Sequence, residues 1–224
     1  MTFLESISND LTPIFVTYCI DYRYDSYSAE FFNGIEYYLS TAAGASLPLG
    51  YEKSCRNINR CNVNQCNYQC NYQCNNQSNN QSNNQSNYQC NNQCCTGSEK
   101  MNDLKKSFVA NLQIALTLKP ITTVYLLNHQ DCGAIRAFLP CSGYPKVGEE
   151  QKEKEISINA KILTYGFDYV KRKFPKMKVI LGLIDSNGTV GDYNIDTQKW
   201  TIVYVGSGQN IDALWYNLKE NNIV

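Results

Sequence analysis

Apolar positions in this chain fall into short continuous runs separated by longer stretches with helical spacing. The runs at 13–18, 121–127 and 178–184 are rich in β-branched and aromatic residues, which is typical of buried strands. Two further strands are expected at 36–41 and 200–205. Because strands that alternate with helices form parallel sheets covered on both faces, the pattern predicts an α/β fold with a mostly parallel central sheet flanked by helices.

Two long segments have the periodicity of amphipathic helices. Residues 98–118 place apolar side chains three and four positions apart, with Ser98 as the expected N-cap and Pro120 beyond the end. A second helix is expected at about 149–174. Beyond the strand that follows this helix, the final strand is expected to be reached through a turn at 186–188, with a further turn at 192–196.

Residues 54–97 interrupt this pattern with a repeat. The four-residue unit is Asn-x-Gln followed by Cys or Ser, and no charged residue occurs from 61 to 98. Such a segment buries too little apolar surface to offset its ordering entropy. We therefore expect a single domain over 1–224 with a disordered Asn/Gln/Cys/Ser insertion at 54–97. The alternative for the repeat is a thiol-rich metal store, but serine replaces cysteine within the array without disturbing the period.

Charge and termini narrow the classes of partner. The 224-residue chain has 20 Lys and Arg against 20 Asp and Glu, so its formal net charge is zero. A neutral chain lacks the general basic surface that binds nucleic acid or acidic membranes. No apolar stretch approaches the ~18 residues of a membrane span, and the N-terminus lacks the pattern of a signal peptide. We therefore expect a cytoplasmic protein with reduced thiols that binds neither nucleic acid nor membrane.

The chain has 11 cysteines and only one histidine. The single histidine excludes any site that needs two histidines from one chain. Eight cysteines belong to the insertion, and Cys141 is interpreted as a structural or incidental thiol. Cys19 follows the first predicted strand, whereas His129 and Cys132 follow the strand at 121–127. Ligands gather at the carboxyl ends of parallel strands, and thiolate and imidazole are preferred zinc ligands. These three residues therefore predict a zinc site with a fourth position left for water or another ligand.

Asp21 and Arg23 stand beside the first of these thiols. A carboxylate held by an arginine would help to orient or deprotonate a water on the zinc. These residues form two clusters, one at 19–23 and one at 129–132. Taken singly, each cluster has a simpler interpretation. The His-x-x-Cys segment fits a half-buried histidine with an unrelated cysteine, and Asp21 and Arg23 fit a surface ion pair that contributes little. The occurrence of both clusters at strand ends favours a joint site.

The two clusters together resemble the signature of the β-class carbonic anhydrases, Cys-x-Asp-x-Arg followed by His-x-x-Cys-Gly. Five fixed positions of that signature are all present: Cys19, Asp21, Arg23, His129 and Cys132. The resemblance implies a β-carbonic-anhydrase-like fold, one Zn²⁺ per chain on the two cysteines and the histidine, and a catalytic dyad of Asp21 and Arg23. It further implies reversible hydration of carbon dioxide to bicarbonate by zinc-bound hydroxide, in a homodimer or higher homo-oligomer.

Several alternatives stay open at this point. In some members of that family the aspartate occupies the fourth zinc position in an inactive state, and either arrangement suits Asp21. The loop at 41–46 lacks the Arg and Asn that usually flank its glycine, and Asn128 stands where glycine is usual. The altered loop and the insertion at 54–97 motivate the first of two other functions on the same scaffold. The first is a catalytically inactive, zinc-stabilised binding or scaffold protein, and the other is a hydrolase of COS or CS₂.

Overall fold

A six-stranded sheet organises the computed structural model, which describes residues 12–57, 97–140, 142–145 and 151–206. The strand order is β2-β1-β3-β4-β5-β6, with parallel pairing from β2 to β4 and antiparallel pairing from β4 to β6. The predicted α/β class and mostly parallel sheet are therefore confirmed. In chain order the elements are β1 (Ile14–Tyr18), a 3₁₀ turn (Tyr22–Tyr24), α1 (Asp25–Phe31), β2 (Tyr37–Thr41), α2 (Leu47–Asn57), α3 (Ser98–Leu118), β3 (Thr123–His129), α4 (Gly133–Phe138), α5 (Lys152–Lys173), β4 (Lys178–Ile184), β5 (Val190–Asn194) and β6 (Lys199–Tyr204).

Alternating side chains divide the core between the two faces of the sheet. On one face, Phe15 of β1 and Leu126 of β3 belong to the cluster that includes the buried stripes of α3 and α5. On the other face, Val16 and Leu127 join Phe31 of α1. Because successive strand residues point to opposite faces, strands covered on both sides need an apolar residue at every position. This requirement explains why β1 and β3 read as continuous apolar runs.

The long helix α3 has the predicted bounds, but its cap differs from the prediction. The N-cap is Gly97, with φ of 105°, and Ser98 is the first helical residue. A Cβ at Gly97 would lie 2.6 Å from the ring of Phe138. The chain therefore enters α3 through a left-handed residue in close contact with α4, and both conditions favour glycine over a serine cap.

The sequence pattern did not predict helix α2, because this segment contains two residues that weaken a helical pattern. Pro48 lies in the first turn, where proline is tolerated, and Gly50 follows in the next. Gly50 is needed for packing, since a Cβ at that position would overlap the Cβ of Tyr165 on α5. The short helices α1 and α4 were missed as well, because six or seven residues show too little periodicity.

The predicted turn at 192–196 is wrong in its first part. Asp192 lies within β5, a strand that the sequence did not predict because its residues, Val-Gly-Asp-Tyr-Asn, have weak strand propensity. The turn begins at Asn194, whose side-chain oxygen accepts the backbone N–H groups of Asp196 and Thr197 at 3.0 and 2.9 Å. Pairing with β4 and β6 stabilises β5 in spite of its composition.

Most of the predicted insertion lies outside the described residues, as does Cys141. The first residues of the predicted insertion, 54–57, form the end of α2, and its last residue, Gly97, is the N-cap of α3. Cys55, which we expected to be a reduced thiol, is disulfide-bonded. Within the described ranges, every helix is too short or too polar to serve as a membrane span.

Candidate metal centre

The carboxyl ends of β1 and β3 bring together the three residues that the sequence predicted as metal ligands. Cys19 follows β1, His129 is the last residue of β3, and Cys132 directly precedes α4. The two strands are parallel neighbours, so their ends meet at one edge of the sheet. All three side chains are buried, and one ligand atom from each lies within 4.8 Å of the others. A tetrahedral zinc site with Zn–S bonds of about 2.3 Å places its sulfurs about 3.8 Å apart.

The imidazole of His129 is oriented with one nitrogen free for a metal. Its Nδ1 lies 2.6 Å from the carbonyl oxygen of Gln130, and a carbonyl can only accept, so Nδ1 carries the proton. The ring packs against Tyr24 with centroids 4.4 Å apart. Nε2 is buried and has no hydrogen-bond partner among the described residues. A buried nitrogen without a partner is costly, and a metal ion would satisfy it.

The pKa values of the two buried thiols, Cys19 and Cys132, are shifted in opposite directions. The hydrogen bond from Cys132, and after it the neighbouring imidazole of His129, lower the pKa of Cys19 to about 4 against the opposing effect of burial. The backbone N–H of Gly44, 3.4 Å from Sγ of Cys19, adds to that effect. The same thiol pair, together with burial, raises the pKa of Cys132 well above its usual value. Both thiols are free, and a metal that takes both would release the remaining proton. The donor set therefore fits a metal ion that prefers sulfur and nitrogen.

Arg23 holds Asp21 through both oxygens of its carboxylate. Nε donates to one oxygen at 2.8 Å and Nη2 donates to the other at 2.5 Å, in a bidentate arrangement. These hydrogen bonds lower the pKa of Asp21. Within the described part of the chain, the cluster of potential ligand atoms contains Cys19, His129 and Cys132 and does not include Asp21. The carboxylate is therefore committed to the arginine in this conformation.

Asp131 is a charged residue of this region that the sequence did not single out. Its carboxylate accepts from Nη1 of Arg23 at 3.1 Å and from Nη1 of Arg136 at 2.5 Å. Its φ of 57° is left-handed, a conformation that aspartate tolerates better than most residues. The ion pairs thus connect Asp21 after β1 with the loop after β3. Charged residues of alternating sign at both strand ends were the signal for this connection.

Further polar residues that the sequence missed lie on the buried face of α5. Glu155 and Asn159 are buried, four positions apart, on the face that continues as Leu163, Gly166 and Val170. Polar residues at two positions of an otherwise apolar stripe were the available signal. Asn128, which stands where glycine is usual in the signature, donates through its amide nitrogen to Oδ1 of Asn159 at 2.9 Å. Helix α5 thus provides the hydrogen-bond acceptor for the side chain of Asn128.

A cavity of about 220 Å³ lies elsewhere, between α2, α3 and α5, and includes none of the predicted site residues. Its charged lining comprises Glu52, Lys53, Arg56, Lys105, Asp168 and Arg172. Two of the cations are already paired with carboxylates, Lys53 with Asp168 at 2.8 Å and Lys105 with Glu52 at 3.5 Å.

No family model matches the chain. An uncharacterized protein of Rickettsia conorii is 33% identical over 88 residues, which cover 38% of this chain and 43% of that protein. An uncharacterized protein of Rickettsia bellii is 28% identical over 96 residues, which cover 42% of this chain and 54% of that protein. The chain thus spans about half the length of the curated relatives it matches.

Two solved structures are similar in fold at low identity. The β-carbonic anhydrase CcaA has a TM-score of 0.43 and 13% identity, with 89% of this chain and 88% of that chain covered. A tetrameric β-carbonic anhydrase of Sordaria macrospora has a TM-score of 0.41 and 11% identity, with 85% of each chain covered.

Proposed function

We propose that this chain is a zinc-dependent carbonic anhydrase that reversibly hydrates carbon dioxide to bicarbonate. The observation that carries the proposal is the convergence of Cys19, His129 and Cys132 beside an arginine-held carboxylate. The resemblance of these residues and of Asp21 and Arg23 to the β-class signature supports the same function. A purely structural zinc site has no need of the Asp21–Arg23 pair, which favours an enzyme.

In this proposal the two thiolates and Nε2 of His129 hold Zn²⁺. Three protein ligands are typical of catalytic zinc sites, which keep a fourth position open. Bound zinc supplies Lewis acidity, which makes water a nucleophile near neutral pH. The buried ligands and the Tyr24 ring against His129 shield the donors from solvent and hold the imidazole in one orientation.

Asp21 acts in the proposal as the hydrogen-bond acceptor that orients the reacting water, and Arg23 holds it in place. Because Arg23 binds both oxygens and lowers the pKa of Asp21, the carboxylate stays ionised and available to accept. The same hold supports a role for Asp21 in this dyad rather than as a fourth ligand. With His129 committed to the metal, the proton leaves through water, buffer or a carboxylate. A homo-oligomer is part of the proposal on the resemblance alone.

The test measures zinc content and carbon dioxide hydration by stopped flow on the full chain, with Cys19→Ser and Asp21→Asn. Cys141→Ser is the matched control, a cysteine change outside the ligand set. We expect Cys19→Ser to lose about one zinc per chain and all activity, and Cys141→Ser to keep both. Asp21→Asn should keep zinc but lose roughly 100-fold or more in kcat/KM, the usual contribution of such a group.

Zinc-loaded wild type that is no faster than Cys19→Ser would contradict the proposal. If zinc is then still bound and its removal lowers the melting temperature, a scaffold protein without turnover is the better assignment. Release of sulfide from COS or CS₂ by the same preparation would assign the hydrolase instead.

A further inference from the structure

A buried carboxylate supports the loop that carries two of the ligands, in addition to the arginines that bind Asp131. Glu155 lies near the start of α5 and is only 5% exposed. Its Oε1 accepts a hydrogen bond from the backbone N–H of Asp131 and another from the hydroxyl of Tyr144, the latter at 2.5 Å. The Tyr144 oxygen in turn accepts the backbone N–H of Cys132 at 3.2 Å. Glu155 thus fixes two consecutive amides between the ligands His129 and Cys132, one directly and one through the tyrosine.

One turn further along α5, a second chain of hydrogen bonds leads to the other side of the site. Oδ1 of Asn159 accepts from the amide of Asn128 at 2.9 Å, and Oδ1 of Asn128 accepts the N–H and hydroxyl of Ser46 at 3.2 and 2.7 Å. Ser46 lies two residues beyond Gly44, whose N–H donates to Sγ of Cys19. The same helix face therefore supports the segments that contact all three ligands.

Packing alone does not account for a carboxylate at this position. Burying a carboxyl group is costly unless it is hydrogen-bonded, and an apolar residue such as Leu163 on the same face avoids that cost. Oε1 of Glu155 accepts from the Asp131 amide of the ligand loop and from the Tyr144 hydroxyl, which itself binds the Cys132 amide. Metal ligands have to be held to within about half an ångström, which depends on the residues that support them. The hydrogen bonds of Glu155 provide that support.

We propose that Glu155, acting with Tyr144, is a positioning residue of the metal centre. It touches no metal ion and no substrate, and it sets the positions of His129 and Cys132 by holding the loop between them. The proposal rests on the proposed function in one respect, which is that the Cys₂His group binds a metal.

The test compares Glu155→Ala, Glu155→Gln and Tyr144→Phe in the full chain, with Glu153→Ala as the matched control on the exposed side of the same helix. Zn²⁺ affinity is measured by competition with a chelator, and Co²⁺ binding by its visible absorption. Loss of an outer partner of a metal ligand costs about 10–100-fold in affinity. We expect that loss and a shifted Co²⁺ spectrum in Glu155→Ala. Glu155→Gln should stay within about 10-fold of wild type, since its carbonyl can still accept.

A second readout does not require metal. In the metal-free protein, amide hydrogen exchange at Asp131 and Cys132 should accelerate in Glu155→Ala, at Cys132 alone in Tyr144→Phe, and at neither in Glu153→Ala. If Glu155→Ala fails to fold, Tyr144→Phe decides the question, with a loss of about 10-fold in Zn²⁺ affinity expected.

The two proposals fail in different ways. If neither wild type nor Glu153→Ala binds metal, the proposed function is overturned. Amide exchange in the metal-free variants then tests by itself whether Glu155 and Tyr144 hold the loop. Wild-type affinity, spectrum and exchange in Glu155→Ala or Tyr144→Phe overturn the positioning role while leaving the proposed function intact.

Discussion

Two tyrosine–carboxylate pairs in this molecule have the same chemistry in different surroundings. Tyr144 donates to Glu155 beneath the ligand loop, and Tyr125 of β3 donates to Asp192 of β5 within the sheet. Burial is the main cause that raises the pKa of both carboxyl groups, and it raises that of Asp192 to about 7. Because the two pairs have the same chemistry, any difference in their effects must come from where each pair lies in the fold.

The pairs differ in what else the tyrosine and carboxylate contact. Glu155 and Tyr144 also bind backbone amides of the ligand loop, whereas Tyr125 reaches across β4 to Asp192. That reach needs Gly182, where a Cβ would lie 2.5 Å from the Tyr125 hydroxyl. The difference indicates that Glu155 can act on the metal centre because it binds the backbone of the ligand loop, whereas Asp192 acts on the sheet alone. The sheet pair is expected to affect stability and the loop pair to affect metal binding.

The largest expected effect on stability comes from Asp192→Asn. Because the pKa of Asp192 is raised in the folded state, its protonated form stabilises the fold, and that contribution is lost as pH rises from about 4 to about 7. Relative to Asp192→Asn, the wild type should lose up to ~1.4 kcal/mol of unfolding free energy per pH unit in that window. Urea unfolding at pH 4, 5, 6 and 7 measures the difference. Parallel curves for the two proteins would show that the carboxyl group titrates normally.

The same hydroxyl deletion at the two tyrosines tests the comparison directly. Tyr125→Phe leaves Asp192 without its hydroxyl donor and should cost about 1–3 kcal/mol of unfolding free energy at pH 8. Its Zn²⁺ affinity should equal that of wild type, in contrast to Tyr144→Phe. Chelator competition and urea unfolding on both variants provide the measurement. Equal losses of metal affinity in the two variants would remove the distinction between the pairs.

A smaller effect is expected from Gly182→Ala, which tests whether the contact of Tyr125 with Asp192 depends on the absence of a side chain at this position. The added methyl would displace the Tyr125 hydroxyl, so we expect a loss of about 1–2 kcal/mol, within the range for overpacking. Combining it with Tyr125→Phe should give less than the sum of the single losses, because both act on one contact. Additive losses in a double-mutant cycle would place the effect of Gly182 elsewhere.

The smallest effect is expected at an exposed ion pair. Lys53 and Asp168 are 2.8 Å apart, with side chains 49% and 42% exposed. Lys53→Ala should change the unfolding free energy by about 1 kcal/mol or less and leave Zn²⁺ affinity unchanged. Thermal unfolding at low and high salt checks this baseline. A loss as large as that of Tyr125→Phe would mean that exposure is a poor guide to the value of charged contacts here.

Several elements could be predicted because their signals are local. The apolar runs of β1, β3 and β4 and the periodicity of α3 are visible in short windows, and the structure confirms them within two residues. Helix α2 could not be found in that way, since Gly50 is explained by its contact with Tyr165 on a distant helix. Strand β5 likewise depends on its two neighbours more than on its own residues.

The sequence by itself determined which strands form the core and which thiols and imidazole stand at strand ends, because spacing and side-chain type are properties of the chain. Only the tertiary structure decided that Asp131 joins the charged pair and that Glu155 supports the ligand loop. Glu155 lies 24 residues from Asp131, whose backbone amide it binds. Its role depends on which helix packs beneath the loop, and the packing of the whole domain sets that arrangement.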